Sequence, residues 1–275
     1  MKLFGQRGRN DAEQKARSSL AEATALYQAG RYAEAEAEAR AVASFRSWPR
    51  EDAPQALSIA AAAMGAQGRH AEALVAYDAL LPVFGRVFGA EHPQTLRLRS
   101  NRAQTLAVLF RHAECEAECA DLARAAARGR GPEMPLIAAA AQNGLIYALN
   151  GQGRHPEAEA LACEALAAHR KPDRFTLVLR LGLARSLNGQ DRHEEALAEA
   201  ERADELRRSL PEEQRRPEAG AVELAMATSL QGLGRSTEAR TRAAAAHDAC
   251  LAVFGPDHHR TAEARTLLDR IIDGA

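Results

Sequence analysis

Aromatic residues are scarce in this sequence, at 4% of 275 residues, with a single Trp. The 46% hydrophobic content is therefore mostly Ala and Leu, which favours close-packed helices. Strands would draw on β-branched and aromatic side chains. Lysine is nearly missing, with only Lys2, Lys15 and Lys171, so almost all cations are Arg. Such Arg- and Ala-rich usage suggests a high-GC bacterial source. Neither charge sign dominates: 36 Lys and Arg face 37 Asp and Glu, for a net charge of -1. That balance predicts no overall pull toward nucleic acid or anionic lipid. No window approaches roughly 18 uninterrupted apolar residues, so no membrane span is expected. The opening residues carry Lys2, Arg7 and Arg9 without an apolar run, unlike a signal peptide, and residues 1–12 read as a flexible basic tail. Cys115, Cys119, Cys163 and Cys250 then read as reduced thiols in a cytoplasmic protein.

What the sequence does contain is a repeat. Six segments align without gaps, among them Gly30-Arg-Tyr-Ala-Glu-Ala35, Gly68-Arg-His-Ala-Glu-Ala73 and Gly153-Arg-His-Pro-Glu-Ala158. Phe110-Arg-His-Ala-Glu-Cys115, Asp191-Arg-His-Glu-Glu-Ala196 and Gly234-Arg-Ser-Thr-Glu-Ala239 complete the set. Their arginines, Arg31, Arg69, Arg111, Arg154, Arg192 and Arg235, are spaced by 38, 42, 43, 38 and 43 residues. Each is followed three residues later by Glu. Two polar positions matched six times over point to a common structural cause.

Each unit predicts a helical hairpin. Apolar residues at helical spacing precede the Gly, as in Leu96, Leu98, Leu106 and Leu109, and a left-handed Gly ends that helix. A second amphipathic helix follows, carrying Leu74, Tyr77, Leu81 and Phe84 in the second unit. The Glu falls in its first turn, where a carboxylate complements the helix dipole. The next, small residue allows the paired helices to approach closely. One hairpin cannot bury its own apolar stripe, so the units must stack. The connector Phe88-Gly-Ala-Glu-His-Pro-Gln-Thr95 recurs as Phe254-Gly-Pro-Asp-His-His-Arg-Thr261, 166 residues on.

This pattern resembles the tetratricopeptide repeat family, in its kinesin-light-chain-type form. The resemblance covers roughly Glu13 to Ile272, departing where Phe110 and Asp191 replace the turn Gly and where Ile146 replaces a small residue. It implies an all-α, right-handed superhelical solenoid of six hairpins. They fall at about 13–48, 52–87, 93–130, 135–170, 173–210 and 216–254, within a single domain 13–275 that ends in a capping helix at about 258–273. The Pro-containing stretches 48–54, 129–135 and 211–217 read as inter-repeat loops.

Chemistry-bearing residues mostly have a structural reading. His70, His112, His155 and His193 recur at the repeat period and so lie about 10 Å apart, too far to share one metal ion. They occupy the packing position held by Tyr32. Cys115 and Cys119, at i and i+4, share a helix face and read as buried inert thiols. His258-His259 beside Asp257 belongs to the connector. No phosphate loop, zinc-protease helix or nucleophile elbow occurs, so no catalytic residue, cofactor or metal is assigned.

The resemblance further implies that ligand-facing side chains lie on the first helix of each hairpin. In the third and fourth units it selects Arg97, Ser100, Gln104, Asn143, Tyr147 and Asn150. In the fifth and sixth it selects Arg185, Asn188, Thr228 and Gln231. This projected groove is rich in amides and carries Arg17 from the first unit with Arg97 and Arg185 but no acid, which suits an acidic or carboxylate-bearing peptide. The expected function is a non-enzymatic protein- or peptide-binding scaffold. A peptide- or small-ligand-sensing regulator, or an auxiliary subunit of a biosynthetic or signalling system, is the alternative. Self-association through the Ala-rich faces stays open.

Overall fold

The computed structural model describes residues 19–44 and 51–273, so the basic tail, Arg17 and Trp48 lie outside the described residues. All regular structure among them is helical. Helix α1 (19–28) pairs with α2 (Tyr32–Ser44), and α3 (Asp52–Ala66) pairs with α4 (His70–Val87). The pairs α5 (Pro93–Val108) with α6 (His112–Arg128) and α7 (Met134–Gly151) with α8 (His155–Ala168) follow. Next come α9 (Arg174–Asn188) and α10 (His193–Ser209), then a short α11 (Glu212–Arg215) with a 3-10 turn (Arg216–Glu218). Helices α12 (Ala221–Gly232), α13 (Ser236–Phe254) and α14 (His259–Asp273) close the array. The first helix of each pair packs on its partner and on the first helix of the next pair, along α3, α5, α7, α9 and α12. Stacking of this kind makes a solenoid with the first helices along one face.

Every hairpin turn has the same backbone. Gly30, Gly68, Gly153 and Gly234 take φ between +72° and +81°, and Phe110 and Asp191 take φ of 59° and 58° in the same place. The N–H of the following Arg reaches back to a carbonyl five residues earlier: Arg111 to Leu106, Arg154 to Leu149, Arg192 to Leu187, each at 2.9–3.0 Å. This bond satisfies an orphan carbonyl at the helix end. Phe110 and Asp191 thus change the residue and keep the conformation.

The repeated Arg and Glu pair with each other. Arg31–Glu34, Arg111–Glu114, Arg154–Glu157, Arg192–Glu195 and Arg235–Glu238 are two-pronged, with N···O distances of 2.5–2.8 Å. Three of the arginines also reach the preceding hairpin: Arg69 to Glu36, Arg154 to Glu116 at 2.8 Å, and Arg192 to Glu159 at 2.8 Å. Gln67, Gln152 and Gln190 join the same three carboxylates at 2.7–2.9 Å.

One residue past each Glu, Ala35, Ala73, Cys115, Ala158, Ala196 and Ala239 are no more than 1% exposed. Here the helices of a pair touch. Around them Leu96, Leu106, Leu122, Ile146, Leu177 and Leu179 are fully buried, each contributing roughly 1.5–3 kcal/mol through burial. The periodic histidines meet glycines: a Cβ added to Gly151, Gly189 or Gly232 would overlap the ring of His112, His155 or His193. Each ring therefore lies flat on the backbone of the next hairpin's first helix.

The repeated connector is a cap. The Nδ1 atoms of His92 and His258 accept from Gln94 N and Arg260 N, each at 3.2 Å. Phe88 and Phe254 stack on these rings at 5.4 and 4.5 Å. Thr95 and Thr261 donate back to the carbonyls of Gly89 and Gly255 at 2.7 and 2.8 Å. The stretch 211–217, expected as a loop, is instead folded into α11 and the 3-10 turn. Glu218 at its end is 3% exposed and is held by Arg174 at 2.6 Å and Arg260 at 3.3 Å. A buried carboxylate between two guanidiniums turns the segment into a brace.

Two stability predictions follow from these contacts. Gly→Ala within a helix ordinarily stabilises by up to about 1 kcal/mol, but Gly189→Ala is expected to lower Tm because its methyl meets His155. In a His155→Ala background the same change should raise Tm; loss in both backgrounds would refute the ring-on-glycine contact. Phe110→Gly, which relieves a left-handed backbone at an 81% exposed side chain, should stabilise by about 0.5–1 kcal/mol in urea unfolding.

Candidate functional site

The amides projected onto the groove divide into two groups. Asn150 and Asn188 are structural. Asn150 Nδ2 donates to Ser186 Oγ at 3.0 Å and Gly182 O at 3.3 Å, and its Oδ1 lies 2.9 Å from His155 Nδ1. Asn188 repeats the arrangement, with Ser229 Oγ at 3.0 Å and His193 Nδ1 at 3.0 Å. Each amide thus joins three elements and has no free polar atom to offer a ligand. Ser100 is also buried. His112 has Ala107 where His155 and His193 have Asn, and its Nδ1 is buried without a hydrogen-bond partner among the described residues.

The remaining projected residues keep access to solvent. Arg97, Gln104, Arg185, Thr228 and Gln231 are exposed, and Asn143 and Tyr147 are half-buried. Their centre is a stack in which the Arg185 guanidinium lies 4.8 Å from the Tyr147 ring centroid. A cation over an aromatic face at this distance is attractive by about 0.5–1 kcal/mol or more. The projection onto first helices alone contained no acid, and the structure corrects that. Arg185 meets Glu263 of α14 at 3.1 Å, and Arg97 meets Glu133 at 3.7 Å. Both arginines already hold a carboxylate of this chain.

The C-terminal end returns to the N-terminal hairpins. The His259 ring lies edge-on to His70 at 5.5 Å. Asp257 O sits so close to Gly68 that a Cβ there would clash, and Val253 O would be 3.5 Å from a Cβ on Gly30. Between these parts lies a cavity of about 860 Å³. It is walled on one side by Tyr27, Tyr32 and Tyr77 and on the other by Arg216, Phe254 and His259. Of the ten projected residues named above for units three to six only Gln104 reaches it, and Tyr27 and Gln28, at the corresponding positions of the first unit, line it too. Its closure could not be read from the sequence, because the facing walls come from residues about 140 to 230 positions apart.

The buried histidines here are held neutral. Burial, followed by Arg260 and His70, pushes His258 down to about 4; burial, followed by His258, Arg260 and His70, pushes His259 down to about 3. The two rings stack at 4.4 Å, so charging either beside Arg260 is unfavourable. Elsewhere, Cys115 and Cys119 lie with sulfurs 4.0 Å apart and buried. Their shared hydrogen bond, with burial, pushes the Cys119 thiol up, while that bond holds Cys115 down. Among the described residues no group of three or more His, Cys, Asp or Glu side chains could hold a metal ion. No helix of the described residues is long and apolar enough to cross a membrane.

Residues 55–94, covering α3, α4 and the first connector, match the tetratricopeptide repeat model. No curated protein sequence matches the chain. Among solved structures, the kinesin light chain TPR-like repeats of Podosopora anserina superpose with a TM-score of 0.56 at 21% identity, covering 70% of this chain and 94% of that one. A tetratricopeptide repeat protein of Parabacteroides merdae superposes with a TM-score of 0.51 at 12% identity, covering 94% and 99%. At these identities the likeness establishes the fold.

The neutral histidines make stability depend on pH with a definite sign. Their folded pKa values lie below the ordinary value of about 6.5, so the unfolded chain binds more protons between that value and about 4. Stability is complete above pH 6.5 and declines as pH falls toward 4. Thermal melts at pH 7.5 and 5 should show a lower Tm at pH 5. The double variant H258N/H259F, which keeps a capping acceptor at 258, should lose part of that difference, the rest belonging to His70 and His112, which burial also pushes down. An unchanged slope would place the titrating groups elsewhere.

Proposed function

Because the chain is a tetratricopeptide-type helical solenoid, we propose that it is a protein- or peptide-binding scaffold whose ligand carries a carboxylate and lies along the first-helix face. The observation that supports this most directly is the Tyr147–Arg185–Glu263 stack. Arg185 stacks over Tyr147 and donates one hydrogen bond, from a single guanidinium nitrogen, to Glu263 of the cap helix at 3.1 Å. A guanidinium fork takes a carboxylate through two parallel hydrogen bonds. Glu263 is 44% exposed, so an incoming acidic residue can displace it without unburying a charge. Asn143, Thr228 and Gln231 supply hydrogen-bonding groups on the same face, and Arg97 is a second, more loosely paired cation. Rim pairs of this sort contribute at most about 1 kcal/mol each, so exchanging one for a ligand carboxylate is nearly neutral, and selectivity comes from the geometry around it.

The reading assigns binding rather than catalysis to this face. Tyr147, Arg185 and Glu263 offer recognition geometry, and no nucleophile with an adjacent base accompanies them. Asn150 and Asn188 are set aside as ligand contacts, since their hydrogen bonds hold the hairpins together.

The test is capture from native lysate, followed by titration with a peptide from the captured protein. Charge reversal at Arg97 and Arg185 (R97E/R185E) should weaken binding at least about tenfold, while circular dichroism stays unchanged. Glu263→Gln, which removes the internal competitor, should strengthen it. Unaltered affinity in both variants would move the binding surface off this face.

A further inference from the structure

The cavity between the N-terminal hairpins and the C-terminal turn takes Gln104 from the first-helix face but none of Arg97, Tyr147 or Arg185, and its walls have polar groups with no partner among the described residues. Arg216 makes no ion pair among the described residues, although it lines the cavity and faces Tyr32 closely enough to influence that phenol electrostatically. His259 Nδ1 is buried without a hydrogen-bond partner among those residues. Tyr27 and Tyr32 form a tilted pair at 5.5 Å, and Phe254 stands across from them. A buried polar atom left unpaired costs about 1–3 kcal/mol, and a bound molecule that satisfies it recovers part of that.

We propose that this cavity is a binding site for a small aromatic monocarboxylate. The volume of about 860 Å³ lies within the range of roughly 300–1,000 Å³ of small-molecule sites. Aromatic walls on both sides suit a planar ring, which gains from stacked or edge-on packing. Arg216 supplies the fork for the carboxylate, and His259 with Asn101 and Gln104 offers hydrogen bonds to substituents.

Charge selects a carboxylate over a phosphate. Arg260, the second guanidinium at the cavity, is held by Glu218 and by the carbonyl of Pro217, and it lies 5.6 Å from the Phe254 ring. Glu212 and Glu213 line the same rim. Glu212 is itself paired with Arg215 at 2.6 Å, so one available cation facing the one remaining acid, Glu213, accommodates a single negative charge better than two. The histidines add no positive charge near neutral pH, since burial keeps them neutral. A ligand held here would touch both ends of the array, bridging hairpins one to three to the brace and the C-terminal turn. Binding would therefore tighten the closure of the solenoid, as any ligand of the folded state stabilises it by mass action.

Isothermal titration with phenylacetate, 4-hydroxyphenylacetate and indole-3-acetate, each beside its neutral amide and beside phenyl phosphate, tests this site. At least one carboxylate should bind with Kd below about 1 mM, its amide and phenyl phosphate at least about tenfold more weakly. Arg216→Gln, at an exposed position, should weaken the carboxylate about tenfold and leave the amide unchanged. R97E/R185E should leave carboxylate affinity unchanged, which separates this cavity from the peptide face. Absence of binding by all three carboxylates to the wild-type chain would overturn the assignment. Equal affinity for acid and amide, retention in Arg216→Gln, or loss only in R97E/R185E would do the same.

Discussion

The close contact between paired helices, made at one small residue per hairpin, is the constraint on which the molecule depends. Ala35, Ala73, Cys115, Ala158, Ala196 and Ala239 are essentially without solvent exposure, and in the second hairpin a Cβ built on Gly65 of the first helix would lie 3.7 Å from Ala73 Cβ of the second. Cores are packed near crystal density, so an extra few methylenes there would cost about 1–3 kcal/mol and push the helices apart. With that separation set, the turn before it must reverse the chain in very few residues. A left-handed residue with its back-reaching hydrogen bond does so, even where that residue is Phe110 or Asp191. The Arg–Glu pair after the turn then lies on the surface, where its energetic weight is small and its geometry recurs because the turn recurs.

Stacking of one hairpin on the next depends on a second close approach, between a histidine ring and a glycine. His155 on Gly189 and His193 on Gly232 bring consecutive hairpins near enough for Asn150 to reach Ser186 and for Asn188 to reach Ser229. These contacts set the angle between units, and six units at that angle carry the C-terminal turn back to the first hairpins. Closure has two consequences for function. It puts Glu263 against Arg185 on the first-helix face, and it borders a cavity whose polar walls are incompletely paired among the described residues. The proposed sites on the open face and in the cavity would thus both be products of curvature.

Much of this was legible in the sequence because its causes are local. Arg31 to Arg235 and their glutamates lie three residues apart, and a hydrogen bond across one helical turn needs no distant partner. The connector residues Phe88, His92 and Thr95 likewise contact one another within eight positions, so their recurrence at Phe254, His258 and Thr261 reads directly as a recurring cap. The buried pair Cys115 and Cys119 follows from helical spacing alone. The groove was only partly legible. Register places Tyr147 and Arg185 on the first-helix face, but a position in a repeat does not say whether its side chain faces solvent or a neighbour. Asn150 and Asn188 hold register positions like those of Arg97 and Tyr147, yet each is engaged by a serine of the following hairpin.

The sequence by itself determined the repeat, the turn conformation, the helix pairing and the small-residue contact, because each rests on interactions within one unit of about forty residues. Tertiary structure decided which amides bond to the next hairpin and which acids neutralise Arg97 and Arg185. It also decided that residues 211–218 form a brace and that the two ends of the array enclose a cavity. Those outcomes depend on the angle between successive units. That angle is a small quantity set by several side-chain contacts at once, and it accumulates over six hairpins before it brings His259 to His70.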